Sequence, residues 1–297
     1  MDPSEPPVRA SVGAGTLLVG RGRRAPLISI HTYVDELDHD RAIATALDDR
    51  PVFSILPPTE DEGPIPDRME QWVDRSVRAI RSAGLEGPYH LIGWSLGGLV
   101  AWEVARRLRA EGEAVAYAGN IDAMRAKLRP PRLADALRYY LDEARRIEDR
   151  RRRRSYLLRA PARHLSGVRE RWGKRIQRTR RRLGLRAADA PIANTAEAYP
   201  PLVYAAKMTG IHFVPKPYFF RPTLFVSAVT ASIVDSDEFL RWGTFLPAGV
   251  DVHRVPGDHH SMWDAAHAVA TAEVIARSLA ASDEQEAVRD GGDATAG

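Results

Sequence analysis

The 297-residue chain predicts an α/β fold, with a mostly parallel, doubly wound sheet flanked by helices. Two observations carry that expectation. Short β-prone runs alternate with helical stretches between residues 27 and 121, and the same rhythm resumes at Thr223. Between Gly93 and Gly97, a strand run also passes into a helix through a serine flanked by glycines.

The elements follow in order. Residues 1–14, rich in Pro, Gly and Ser, read as a flexible tail ahead of a domain expected over 15–281. Leu27-Ile28-Ser29-Ile30 is a strand ending at His31, and a helical stretch follows around Asp40 to Leu47. Val52 to Leu56 is a second strand, closed by Pro57-Pro58. Met69 to Ala83 spaces Trp72, Val73, Val77 and Ile80 along one helical face. Tyr89 to Ile92 is a strand, Leu96 to Glu111 a helix stopped by Gly112, and Ala114 to Ile121 the next strand. Thr223 to Val226 and Val250 to Val255 continue the sheet, and a last helix is expected from Ala265 to Ala280. The acidic, Gly-containing segment 282–297 reads as disordered.

Composition narrows the function classes. With 44% hydrophobic residues the chain has enough apolar mass for one core. No run approaches the roughly 18 apolar residues that cross a bilayer, and the N-terminus lacks a basic then apolar leader pattern. A cytoplasmic protein is expected. Cysteine is absent, which excludes disulfides, thiolate metal sites and a cysteine nucleophile.

Gly93-Trp94-Ser95-Leu96-Gly97 matches the nucleophile elbow G-x-S-x-G. Five residues alone would fit any tight strand-to-helix turn. The flanking strand and apolar-faced helix make the pattern specific, and they point to the α/β-hydrolase fold with Ser95 as nucleophile. The helix start brings the Leu96 N–H and a positive dipole end to the reacting carbonyl. A serine hydroxyl needs a base, and the base an orienting acid. The loop Val255-Pro256-Gly257-Asp258-His259-His260-Ser261-Met262 follows the last strand, where the base belongs. His259 is the expected base and His260 its competitor. For the acid, Asp122 ends the strand after the elbow helix, whereas Asp235 and Asp237 follow the Thr223 strand. The residues alone leave both positions open.

The run Gly87-Pro88-Tyr89-His90-Leu91-Ile92-Gly93-Trp94-Ser95-Leu96-Gly97-Gly98, with Ala101, Glu103 and Ala105, resembles the thioesterase domains of polyketide and nonribosomal peptide synthetases. The Val-Pro-Gly-Asp-His-x-x-Met stretch at 255–262 is similar to the same family's histidine loop. The resemblance runs from about Leu17 to Leu279 and fades in the middle. It implies release of acyl or peptidyl chains from a carrier-protein phosphopantetheine thioester, without a cofactor or metal. In the release enzymes the acid follows the strand after the elbow helix, which favours Asp122. Editing thioesterases place it one strand later, which keeps Asp237 as second choice. One departure stands out. The family's glycine-containing oxyanion loop is here His31-Thr32-Tyr33-Val34-Asp35-Glu36-Leu37, without glycine. Thr32 or Tyr33 would have to supply the second backbone N–H beside that of Leu96.

An insertion of about 125–200 interrupts the sheet rhythm where a lid would sit. Residues 125–190 hold 23 Lys or Arg against 7 Asp or Glu, while the rest of the chain holds 32 acidic against 20 basic residues. Such a segment suits docking of an acidic carrier protein; a solvated amphipathic face is the plainer reading. No base-reading motif accompanies it, and aromatic residues are sparse within it, which argues against nucleic acid. Two other functions fit the triad pattern less completely: a carboxylesterase acting on small esters, and a non-catalytic hydrolase-fold binding protein.

Overall fold

A computed structural model describes residues 8–10, 15–32, 37–59, 62–123, 201–233, 242 and 245–293. Its frame is one eight-stranded sheet in the order β1-β2-β4-β3-β5-β6-β7-β8. The strands are β1 (Val8–Ala10), β2 (Thr16–Val19), β3 (Leu27–Ile30), β4 (Val52–Ile55), β5 (Tyr89–Trp94), β6 (Val115–Ile121), β7 (Thr223–Ser227) and β8 (Asp251–Val255). From β4 through β8 every pairing is parallel, while β1 with β2 and β2 with β4 are antiparallel. Burial follows position in the sheet. β3, β4 and β7 are buried at every residue, as strands covered on both faces must be. The edge strand β8 instead alternates, with Val252 and Arg254 exposed.

Among the described residues the helices are α1 (Leu37–Leu47), α2 (Met69–Ser82), α3 (Leu96–Ala110), α4 (Pro201–His212), α5 (Ala228–Ile233) and α6 (Ala268–Asp293). On α2 the spacing read from sequence is the buried stripe: Met69, Trp72, Val73, Ser76, Val77 and Ile80. Gln71 Oε1 accepts the N–H groups of Asp67 and Arg68 at 2.9 and 3.2 Å, closing the start of α2. α3 is buried along most of its length, including Leu99, Val100, Trp102, Val104 and Leu108. Each such aliphatic side chain stabilises the fold by about 1.5–3 kcal/mol relative to exposure. Among the described residues no helix is long and apolar enough to cross a membrane.

The chain divides into two compact units. The whole sheet belongs to the first: Met1–Ala126, Tyr199–Ala231 and Asp235–Gly297. The second, Lys127–Ala198 with Ser232–Val234, lies almost wholly outside the described residues, as does the lid expected over about 125–200.

Both ends depart from expectation. Within the N-terminal segment read as a flexible tail, Val8–Ala10 form β1, paired to β2 with Val8 opposite Val19. At the other end the segment from 282, read as disordered, continues α6 to Asp293. The first residues of that stretch are tied to the sheet by a charge cluster that hydropathy does not register. Asp283 accepts from Arg50 at 2.9 and 3.0 Å, from Arg24 at 2.8 Å and from His90 at 3.2 Å, and Arg50 is only 4% exposed.

Candidate active site

Ser95 stands between β5 and α3 with φ +54° and ψ −124°, a strained conformation for a residue with a side chain. The elbow is affordable only because its neighbours are small. A Cβ on Gly93 would collide with the Gly97 backbone, and one on Gly97 would run into the Ile30 carbonyl at the end of β3. The turn is stitched to the sheet, since the Ser95 N–H donates to the Ile121 carbonyl at 2.8 Å. Leu96, the first residue of α3, presents one of the first-turn amides that have no acceptor within a helix.

Asp122 follows β6 directly, also at positive φ (+53°), and its N–H donates to Phe225 on β7 at 2.8 Å. Its side chain is 1% exposed. Oδ1 accepts the Ser227 N–H at 2.9 Å. Oδ2 accepts the hydroxyls of Ser227 and Thr230, each at 3.1 Å, and lies 2.9 Å from His259 Nδ1. Every partner offers a hydrogen, which suits an acceptor-only carboxylate and sets the His259 proton on Nδ1. The other ring nitrogen, Nε2, then faces Ser95 Oγ at 3.1 Å. Ser95, His259 and Asp122, from three separate stretches of chain, thus form one hydrogen-bonded series.

The loop bearing His259 is clamped from within. Asp258 Oδ1 accepts the N–H groups of His260 and Ser261 at 2.9 and 2.8 Å, and the Ser261 hydroxyl accepts the Asp258 N–H at 2.8 Å. Burial pushes the Asp258 carboxyl up, but these amides and the hydroxyl outweigh it and hold it below the ordinary range. Met262, fully buried, anchors the far side of the loop. The His259 ring is 34% exposed and lies on the Trp94 indole, with centroids 4.9 Å apart and planes at 29°. His260 is exposed, meets Trp94 edge-on at 5.7 Å, and is kept below the usual histidine range by desolvation and by its neighbour His259.

The remaining expected site residues fall out as follows. Thr32 is fully buried and its hydroxyl has no partner among the described residues, whereas Tyr33 lies outside them. Asp235 and Asp237 lie outside them too. His31, directly after β3, is turned into the core, 2.6 Å from Asp40, which also accepts the Ser54 hydroxyl. Sequence reasoning missed Ser227 and Thr230; a hydroxyl at the end of β7 and one on α5 carry no local signal for a contact with Asp122, 105 and 108 residues away.

Two other features lie away from the triad. A groove of about 610 Å³ is lined by residues from the N-terminal ends of β6 and β8 and by α6, and its Arg221 is already paired with Asp251 at 2.6 Å. Ligand atoms of His90, Asp283 and Glu286 lie within 4.8 Å of one another. The two guanidiniums on Asp283 make that cluster a poor home for a cation.

The family model of the thioesterase domain matches residues 41–279. The chain belongs to the thioesterase domain family. Its curated relatives include a nonribosomal peptide synthetase of Aspergillus terreus, 34% identical over 108 residues, which are 35% of this chain and 11% of that protein. Aspulvinone E synthetase of the same species is 25% identical over 287 residues, 89% of this chain and 29% of that protein. An atromentin synthetase of Paxillus involutus is 31% identical over 118 residues, 39% of this chain and 12% of the synthetase. The thioesterase domain therefore spans less than a third of the length of these relatives. Among solved structures, the NocB thioesterase domain from the nocardicin cluster superposes with a TM-score of 0.57 at 20% identity, over 90% of this chain and 100% of that one. A four-domain nonribosomal peptide synthetase, holo-AB3403, superposes with a TM-score of 0.57 at 19% identity, over 89% of this chain and 20% of that one. Both likenesses show a shared fold. The protein is a thioesterase of the hydrolase fold.

Proposed function

We propose that Ser95, His259 and Asp122 are the catalytic triad of a thioesterase that releases an acyl or peptidyl chain from a carrier-protein phosphopantetheine thioester. The observation that carries this reading is the unbroken series Ser95 Oγ, His259 Nε2, His259 Nδ1 and Asp122 Oδ2 at 3.1 and 2.9 Å. The synthetases among its relatives support the substrate class, because such assemblies carry their chains as thioesters on carrier domains.

The chemistry follows from the geometry. As Ser95 Oγ attacks the thioester carbonyl, its proton passes to His259 Nε2, and Asp122 stabilises the resulting imidazolium while holding the ring in place. Negative charge grows on the carbonyl oxygen, where the Leu96 N–H and a second amide from Thr32 or Tyr33 would receive it. Collapse of the tetrahedral intermediate breaks the C–S bond, and the imidazolium returns its proton to the departing sulfur. Water, or a nucleophile within the chain itself, then enters by the reverse route and frees Ser95. Apart from the incoming nucleophile, each of these steps draws on side chains and amides of the protein. The basic stretch 125–190 would dock the acidic carrier, a role supported by its 23 basic against 7 acidic residues.

The test combines labelling with turnover. A fluorophosphonate probe should add one equivalent to the protein, mapped to Ser95, and abolish hydrolysis of a synthetic acyl thioester. Ser95→Ala should fold, resist the probe and lose roughly 10³-fold or more of kcat. A Ser95→Ala protein with near-native turnover would end the triad reading. Faster turnover of the matched oxygen ester than of the thioester would make the protein a carboxylesterase instead.

A further inference from the structure

The triad fixes the His259 ring at only two points, Nδ1 on Asp122 and Nε2 on Ser95. Two hydrogen bonds along one line leave the ring free to rock about that line, and a ring 34% exposed is not walled in by packing. What meets its face is Trp94, stacked at 4.9 Å and 29°. Trp94 is the last residue of β5, immediately before the nucleophile, and pairs with Ile121, immediately before Asp122. Platform, nucleophile and acid thus leave two adjacent strands within one residue of each other. Trp94 is braced in turn. His39 on α1 meets it edge-on at 5.1 Å and stacks on Trp263 at 4.3 Å and 17°.

We infer that Trp94 is a positioning residue for the base: its indole face sets the plane of the His259 imidazole and stabilises the imidazolium formed during acyl transfer, with His39 and Trp263 bracing the indole. The inference rests on the triad reading above. An aromatic face is the negative pole of a quadrupole, so it attracts the ring most strongly in its charged state. That is the state that appears when Ser95 gives up its proton. The bracing histidine suits the role because burial pushes His39 down to about 4, so at neutral pH it adds no positive charge beside the imidazolium. Among the described residues, the other titratable groups around His259 are Asp122 at the end of β6, and Asp258 and His260 in its own loop. They are the same in every variant proposed below.

The experiment compares Trp94→Leu, Trp94→Phe and His39→Leu with the native protein, using a small soluble acyl thioester. Trp94→Leu should lower kcat about three- to ten-fold with KM changed less than two-fold, because the contact matters most in the charged transition state. The acid limb of its kcat/KM profile should move to lower pH by about half a unit, since the imidazolium has lost a stabilising partner. Trp94→Phe keeps an aromatic face and should restore most of kcat and the position of the limb. His39→Leu should shift both in the same direction by less. A folded Trp94→Leu protein with native kcat and a native acid limb overturns the inference, and so does a loss confined to KM, which would make Trp94 a wall of the acyl site. If Trp94→Leu does not fold, Trp94→Phe decides: a folded Phe variant that loses ten-fold or more of kcat overturns the claim that an aromatic face suffices. Failure of the native protein to take the probe at Ser95 would remove the triad reading itself, and this inference with it.

Discussion

Replacing Asp122 by Asn tests the acid with almost no change in shape. The carboxylate accepts four hydrogens: the Ser227 N–H and hydroxyl, the Thr230 hydroxyl and His259 Nδ1–H. An amide has one accepting oxygen and an NH2 group that must point at former donors. If the oxygen turns to His259, the NH2 opposes the Ser227 N–H, and a buried amide pair left unmatched costs about 1–3 kcal/mol. If the oxygen stays on Ser227, the two hydroxyls can rotate to accept from the NH2, but His259 must move its proton to Nε2. The second arrangement is favoured, because a backbone N–H cannot rotate, and 1–3 kcal/mol corresponds to a preference of about 5- to 150-fold. An imidazole protonated on Nε2 cannot take the Ser95 proton. The same exchange in a serine-protease triad costs about 10⁴ in kcat, and a loss of about 10³–10⁴ is expected here, with KM little changed. The assay is thiol release from a soluble acyl thioester, alongside the rate of fluorophosphonate labelling. The melting temperature should fall by only a few degrees. Retention of more than a tenth of native kcat, together with a collapse in Asp237→Asn, would refute the argument and move the acid to the later strand.

Two further outcomes are expected. Burial holds both His39 and His90 near 4, below the ordinary value of about 6.5, so between those limits the unfolded chain binds more protons; their contribution to stability is complete above about pH 6.5 and is lost as pH falls toward 4. Denaturant unfolding should give roughly 1–2 kcal/mol less stability per histidine at pH 5 than at pH 7, and equal stabilities at the two pH values would contradict it. For the basic segment, reversing charges within Arg150 to Arg154 should raise KM for a carrier-bound acyl chain and leave a small soluble thioester unaffected, with added salt reproducing the pattern; equal losses on both substrates would show that the segment does not act by docking.

What the sequence made legible tracks how local each signal is. Mostly apolar strands such as Leu27–Ile30 and Thr223–Ser227 announce themselves, because both faces must be buried. The glycines around Ser95 are legible because a backbone clash permits nothing else there. β1 escaped notice because three residues have little pattern of their own and gain their structure from the ladder with β2. Just past Ser282, α6 is anchored by Asp283 meeting Arg50, 233 residues away. Ser227, Thr230 and the Trp94 platform escaped for the same reason: each acts through a partner brought close only by the sheet.

The placing of the acid shows how the sheet gives the site its accuracy. Ser95 leaves β5 and is tied to β6 through Ile121, and Asp122 leaves β6 and is tied to β7 through Phe225, each at 2.8 Å. Ser95, Asp122 and the donors at Ser227 therefore step across three adjacent parallel strands, their spacing set by backbone ladders that a loop cannot match. A second carboxylate at the end of β7 would oppose the first across a buried space, and two like charges there would raise the pKa of one of them. That end of β7 instead carries the Ser227 hydroxyl, which with the Thr230 hydroxyl on α5 donates to Asp122. His259 comes from a loop and borrows its rigidity from the Asp258 clamp on one side and the Trp94 face on the other. It is the member of the proposed triad whose geometry depends most on side chains, and so the one where substitutions outside that triad should show most clearly in kcat.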